Sequence, residues 1–401
     1  MILKLAARNL LRNPRRTTAI LLTVAMGSSS LFIFNGFNKS LLDSYRENTL
    51  RSRYGNGQIN TAGYRDKTYE KPWEHWMTDT KPLQERLLKI PGLDYVFPRI
   101  HFYALLTNGK INVAGTGEGI DAMQESKFFT SLNIEEGKNL ESEPDGIIIG
   151  KGLAHSLDAK VGDRVTVLTT TVNGSMNGAD FTVTGIFHTG NAEFDNAVFR
   201  IPLKQAQTLL DTDRIETMAL GFGPDLEFPE VAKVVQNEFK ELEATPFEIL
   251  DKIFYQNSVD WLDSQFNIIQ TIILSIVVLG IFNTVSSGIL ERKQEIGNLR
   301  ANGESSNDVL ALLVAEGTVM GLLGAALGLA FALIVNKIII RDGILMPPAP
   351  GITRTFVVPI MFTAKAGLKS FGWAAFTAII GTTLAALKAV RITIAEALRS
   401  T

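Results

Sequence analysis

Two apolar runs near the C-terminal end, 267–290 (NIIQTIILSIVVLGIFNTVSSGIL) and 309–340 (VLALLVAEGTVMGLLGAALGLAFALIVNKIII), constrain this chain more than any other feature. Each exceeds the roughly 20 residues that an α-helix needs to cross a bilayer. Between them lie a short charged stretch, ERKQEIGNLRANG at 291–303, and a polar ESSND. Ile296, Leu299 and Gly303 fall at helical spacing, which leaves Arg292, Glu295 and Arg300 for solvent or a partner. The pattern predicts a small amphipathic helix pinned between two spanning helices and placed to receive a push from a soluble partner. The alternative is a solvated turn that only supplies orienting positive charge.

The rest of the chain segregates in the same way. It has 401 residues, 46% of them hydrophobic, and a net charge of -2, a balance that does not suggest a nucleic-acid binder. Apolar runs occupy the N-terminal end and the last third, and the middle reads as a soluble domain. There is no cysteine, which excludes disulfides, thiolate metal sites and cysteine nucleophiles. Residues 2–13 place Lys4, Arg8 and Arg12 four apart before Pro14, which is expected to end that helix. Arg15 and Arg16 follow, then an apolar run at 17–37. The basic face suits a helix lying on the cytoplasmic leaflet, or charges that only set topology. A secretory signal would end near the small residues at 27–30, but the apolar run continues past them to Phe37.

Four spanning helices are expected, at 17–37, 266–290, 309–340 and 371–387. Positive charge decides their orientation. Lys4 to Arg16, then Arg292, Lys293 and Arg300, then Lys388, Arg391 and Arg399 all fall on one side, the cytoplasm. The domain at 38–265 and the 341–370 loop then lie outside, and Lys337 and Arg341 can snorkel. The third helix carries Gly317, Gly321, Gly324 and Gly328 in two G-x-x-x-G pairs, a packing face within the subunit or at a dimer seam. Glu316, about two turns into that helix, reads as a transmission or dimer contact, or as an acid capped by Arg or Lys of the charged stretch.

The outer domain reads as α+β. Helices are expected at 82–90, 203–210 and 229–242. Strands are expected at 95–106, 111–115, 146–149, 164–171, 181–187 and 197–201. The strand-rich 131–213 looks like an inserted lobe, 173–179 like a hairpin tip, and 251–265 like a helical stalk into the second span. No P-loop occurs, so the chain is not expected to hydrolyse nucleotide. Gly115-Thr116-Gly117-Glu118-Gly119 reads as a strand-end turn. The four histidines, His75, His101, His155 and His188, are scattered without ligand spacing, so no metal is expected. No G-x-S-x-G elbow and no catalytic carboxylate pair stand out, so no catalytic residue is assigned. Trp73 and Trp76 form an aromatic pair that could touch a partner or lipid, or pack on the domain.

These residues resemble a family. The order of one helix, a large outer domain and three helices is similar to the FtsX-like permeases of the ABC superfamily, particularly the lipoprotein-releasing (Lol-type) and MacB-type branches. ERKQEIGNLRANG resembles that family's coupling helix, followed by the E-G of Glu316-Gly317. ARNLLRNPRRT resembles its opening and Glu396-Ala397-Leu398-Arg399 its end. FPRI (97–100), GIIIGKGLA (146–154), VGDRV (161–165) and FTVTGIF (181–187) resemble its periplasmic core domain. Ala385 and Ile394 stand where the family often has prolines, and Asn302 where it is usually apolar. MPPAPG (346–351) is similar to a stretch of Lol-like members.

The resemblance implies an integral membrane α-helical fold of four spanning helices with a large α+β extracytoplasmic domain of the MacB-like type. It implies a bacterial inner-membrane location with both termini cytoplasmic and the large domain periplasmic. The implied partners are a cytoplasmic ABC ATPase dimer, which binds the ATP, a second permease subunit (identical or not) and membrane lipid. A lipoprotein substrate or a periplasmic adaptor would be a further partner. No cofactor is implied on this chain. Glu291, Arg292, Glu295, Ile296, Gly297, Leu299, Arg300 and Gly303 would couple to the ATPase, and no substrate-binding residue is assigned. The implied function is lipoprotein or lipid release from the inner membrane. The alternatives are regulation of a periplasmic cell-wall hydrolase, or efflux of peptides or drugs.

Overall fold

The computed structural model describes residues 14–67, 71–78, 80–140, 145–252, 256–347, 353 and 355–390, without the side chains of residues 15, 16, 356 and 389. The basic segment 2–13, the end of the chain with Arg391, Ile394 and Arg399, and most of MPPAPG lie outside these residues. The chain divides into two compact units. One comprises Met1–Asp43, Val259–Met346 and Val357–Thr401, and the other Ser44–Ser258 and Pro347–Phe356.

The first helix among the described residues, α1, is Pro14–Thr49. Pro14 is the first described residue and is already helical, and the helix end expected before it lies outside the described residues. The helix also outruns the apolar stretch. Hydropathy marks where a helix meets lipid, not where it stops, and no Gly or Pro occurs from 38 to 54. A π-helical turn, Leu50–Tyr54, follows, and Gly55 closes it with φ +70° and its N–H bonded to the Leu50 carbonyl.

The second unit is built on a ten-stranded mixed sheet. Its strands are β1 (Gly57–Thr61), β2 (Leu93–Thr107), β3 (Asn112–Ile120), β4 (Asn133–Gly137), β5 (Gly146–Gly150), β6 (Arg164–Thr170), β7 (Met176–His188), β8 (Val198–Pro202), β9 (Thr217–Phe222) and β10 (Leu242–Pro246). The path runs β10-β1-β9-β2-β3-β8-β5-β7-β4, with β6 pairing β2 and β7. The fifteen-residue β2 joins the two halves, since Leu93–Arg99 pair with β9 and Ile100–Thr107 with β3. Six helices of this unit are α2 (Lys81–Leu87), α3 (Ala122–Phe128), α4 (Lys151–Leu157), α5 (Ala192–Ala197), α6 (Leu203–Leu210) and α7 (Phe228–Glu238). One large apolar core includes Leu87, Ile149, Leu153, Val167, Phe199 and Val231.

Several sequence readings change. Residues 131–213 make no lobe of their own, because β8 runs parallel to β3 and β6 pairs with β2 in the same sheet. The stretch 115–119 is not a turn but the middle of β3. Its glycines fall at a spacing of two, so all three face one side. A Cβ at Gly117 would lie 2.4 Å from the Phe102 ring, and one at Gly119 2.4 Å from the Ala206 Cβ. Glycine here lets aromatic rings and α6 lie against the strand. The hairpin tip is shorter than 173–179, since Thr171 bonds Ser175 and β7 starts at Met176. Trp76 is buried in the core with Trp73 packed against it, so this pair serves packing. Thr353, from the connector after the third span, donates its N–H to the Gly190 carbonyl at 2.9 Å.

Later in the chain come the helices α8 (Asn257–Glu291), α9 (Lys293–Ala301), α10 (Ser306–Ile338) and α11 (Ala364–Val390). Among the described residues, α1, α8, α10 and α11 are long and apolar enough to cross a membrane. The fourth begins at Ala364 rather than 371, because Lys365 and Lys369 hide its first turns from a hydropathy reading. Helix α8 covers 257–265 of the expected stalk and runs unbroken into the span, while 253–255 lie outside the described residues. The glycine face of α10 is filled from within the subunit. Cβ atoms at Gly317 and Gly321 would meet Thr382 and Ala378 of α11 at 2.2 and 2.5 Å. At Gly324 and Gly328 they would meet Val24 and the Ala25 carbonyl of α1 at 2.6 and 2.4 Å. Polar pairs add to this packing: Ser28 donates to the Ala325 carbonyl at 3.2 Å and Asn35 to Ser370 at 3.3 Å.

Candidate coupling site

The charged stretch folds as the sequence pattern demands. Glu291 is the last residue of α8, Arg292 breaks the helix with φ -102° and ψ 18°, and α9 follows at once. Helix α9 ends before Gly303, whose φ of +102° is a conformation that disfavours side chains. The next helix starts on a capping box. Asp308 N–H donates to Ser305 Oγ at 3.2 Å, and Ser305 N–H to Asp308 Oδ2 at 3.1 Å. Two helix ends and two helix starts within so few residues fix the direction of α9.

One face of α9 is buried. Ile296 and Gly297 are buried, and Ile296 joins Ile289, Val309 and Leu313 in a single apolar cluster. Leu299 packs against that cluster from the edge. The opposite face, with Gln294, Glu295, Asn298, Ala301 and Asn302, is exposed, as is Glu291.

The two arginines do not point where helical spacing suggests. Arg292 turns inward, only 14% exposed. It donates through Nε to Glu295 at 2.8 Å and through Nη1 to Glu316 at 3.0 Å. Arg300 donates to the Val390 carbonyl at the end of α11, 3.3 Å away. Both cations therefore tie α9 to the helices on which it sits. The reason lies in Glu316. It is a buried carboxylate on α10, and a buried charge needs a partner. Of the two sequence readings for Glu316, the structure places it in the ion pair with the charged stretch. Arg292 thus joins α9 to α10 through a charged hydrogen bond, and it is the single residue between α8 and α9.

Outside this site, the outer unit holds a buried charged network that the sequence reading missed. Arg99, Glu118, Glu125 and Arg200 are each no more than 2% exposed. Glu118 and Arg200 are register partners on β3 and β8. Next to them, His101 Nδ1 lies 2.8 Å from Glu216, which also accepts from the Tyr64 hydroxyl at 2.7 Å. Burial alone would raise the Glu118 pKa, but Arg200, His101, Arg99 and Arg53 outweigh it and hold the carboxyl at about 2. Burial likewise pulls His101 down, while Glu216 and Glu118 prevail and raise it. The signal available in the sequence was a lone Arg within the apolar VFRIP at 198–202. Among the described residues no cluster of three or more His, Cys, Asp or Glu could hold a metal.

Comparison with known proteins places both halves of the chain. The FtsX-like permease C-terminal family matches residues 267–394, and the MacB-like periplasmic core domain matches 17–237. The lipoprotein-releasing system transmembrane protein LolE of Haemophilus influenzae is 26% identical over 281 residues, covering 65% of this chain and 64% of that one. An uncharacterized ABC transporter permease of Methanocaldococcus jannaschii, MJ1507, is 28% identical over 221 residues, covering 52% and 53%. The lipoprotein-releasing system transmembrane protein LolC of Neisseria meningitidis is 26% identical over 330 residues, covering 78% and 75%. The match thus spans less than two-thirds of the length of the first two relatives.

Proposed function

This chain belongs to the MacB-like periplasmic core domain family and ends in an FtsX-like permease segment, and from that premise we infer that it is the membrane-spanning, non-catalytic subunit of an ATP-driven transporter. A separate cytoplasmic ATPase dimer binds and hydrolyses the nucleotide and presses on the exposed face of α9. The push passes to the spanning helices, and α1, continuous from Pro14 to Thr49, carries it into the outer domain. With a second permease subunit opposite, the two outer domains change separation and move cargo at the outer surface of the inner membrane. The cargo class is a lipoprotein or lipid, a reading supported by the two relatives whose names state lipoprotein release. The observation that carries the proposal is the bonding of α9. It is tied to α10 through Arg292 and Glu316 and to α11 through Arg300, while its other face stays exposed. For ATP to do work here, it must favour one of two arrangements of the assembly over the other.

The test is a charge reversal, Glu295→Lys with Arg300→Glu, in chain reconstituted with its ATPase. Insertion into the membrane is expected to be intact. Cargo release per ATP hydrolysed is expected to fall by tenfold or more, which is a coupling loss of at least about 1.4 kcal/mol. Wild-type ATPase stimulation and release in that variant would remove the coupling role. The cargo class has its own test, since depletion should leave lipoproteins, not peptides or drugs, accumulating in the inner membrane.

A further inference from the structure

Two buried guanidinium groups meet the end of α1. Arg99 on β2 binds Glu125 of α3 twice, through Nε at 2.5 Å and Nη2 at 2.8 Å, and its Nη1 donates to the Arg53 carbonyl. Arg200 on β8 binds Glu118 at 2.7 Å, and its Nη2 donates to the Ser52 carbonyl at 3.2 Å. Arg200 also lies 3.8 Å from Glu125, so the four charges form one chain. The N–H of Ser131 reaches the Arg51 carbonyl at 3.2 Å. The Arg51 guanidinium lies 4.2 Å over the Phe128 ring. Three consecutive carbonyls of the closing π-turn therefore each accept a hydrogen bond from a group of the outer domain.

Those carbonyls are the negative end of a long helix, and they lack partners within it. Water or a simple cap would satisfy them. Here the charged interior of a sheet does so instead. Apolar side chains of equal volume fill a core as well as buried ion pairs do, or better. They cannot, however, aim donors at backbone carbonyls. The π-turn is also the weak point of the helix, since i→i+5 bonding is rare and confined to single turns.

We propose that Arg99 and Arg200, held in place by Glu125 and Glu118, are positioning residues that lock the π-turn ending α1 to the sheet, so that the last turns of the helix, from Ser44 on, and the outer domain move as one body. The proposal rests on the permease reading for the purpose of the lock, but the lock itself is a structural claim with its own readout.

The natural chain has no cysteine, so spin labels can be placed at Ser44→Cys on α1 and Tyr103→Cys on β2, both within the same compact unit. Two further substitutions, Arg99→Met with Glu125→Leu, replace one ion pair by apolar groups, an exchange that usually leaves stability unchanged or raises it. The distance distribution between the labels is expected to be narrow in the full chain and clearly broader in the substituted one. In the reconstituted complex, cargo release should fall about tenfold with ATP hydrolysis retained. A folded variant with an unbroadened distribution would overturn the lock. So would one with wild-type release from a complex whose unsubstituted form is active. If that variant fails to fold, Arg99→Lys serves. Its single ammonium keeps the charge beside Glu125 but not the fork that also reaches the carbonyl. Broadening is expected there too, and its absence overturns the proposal. If the unsubstituted complex releases no cargo, the permease reading fails, and the label distances still decide the lock.

Discussion

Arg292→Met alone will destabilise the chain by roughly 3–5 kcal/mol, because it removes the guanidinium from a carboxylate that stays buried. Glu316 is 2% exposed and sits among the helices that surround the Val309, Leu313 and Met320 cluster. Its carboxylate accepts from Arg292 at 3.0 Å. Adding Glu316→Leu should recover most of the lost stability, since the double variant buries neither charge. It should not recover coupling, because the charged hydrogen bond from Arg292 to α10 is then gone. Melting of detergent-solubilised chain measures the first effect, and cargo release per ATP the second. A single variant as stable as the parent would show that Arg292 does not stabilise Glu316. A double variant that restores coupling would show that the ion pair transmits nothing.

The second large effect is in acid. The Glu118 carboxyl is held at about 2 against its ordinary 4.5. A group depressed on folding stabilises the fold above its unfolded value and stops doing so as pH falls through its folded value. The outer domain should therefore lose on the order of 3 kcal/mol from this group between about pH 4.5 and pH 2. Glu216, also held low against its burial by His101 and Tyr64, adds to the same limb. His101 acts in the opposite sense. Its pKa is raised above 6.5, so its contribution is full below that value and is lost as pH rises through the raised one. Melting temperature against pH should show both limbs, and Glu118→Gln should flatten the acid one. An acid limb unchanged by that substitution would remove Glu118 from the account.

What could be read from the sequence was whatever a local pattern fixes. The apolar runs around 267–290 and 309–340 stood out because lipid demands length and composition, and both are written in order along the chain. The charged bridge stood out because its break at Gly303 and the polar start at Ser305 are neighbours of the pattern itself. Helix α10's glycines announced close packing, and the structure then showed which helices fill the face. Less legible was anything decided by a partner distant in sequence. Helical spacing put Arg292 and Arg300 outside, but it could not show Glu316 below one and the Val390 carbonyl below the other. The glycines at 115, 117 and 119 suggested a turn, because the rings and helix that need room there come from Phe102, Phe199 and Ala206. The end of α1 was set at Phe37 by polarity, although nothing breaks the helix before Gly55. The charged lock was hidden for the same reason. A charge in a strand usually reads as solvated, and Arg200 becomes buried only when β8 pairs with β3 and brings Glu118 opposite it.

The account stands on α9 and the outer domain lying on opposite sides of one membrane, and the cysteine-free sequence makes that directly measurable. Asn298→Cys on the exposed face of α9 and Tyr103→Cys, 86% exposed on β2, would each be offered a membrane-impermeant maleimide in cells with the outer surface of the inner membrane accessible. The expected result is that position 103 reacts in intact cells and position 298 reacts only after the membrane is opened. Labelling of both positions from the outside, or of neither until lysis, would place them on one face and contradict the lever.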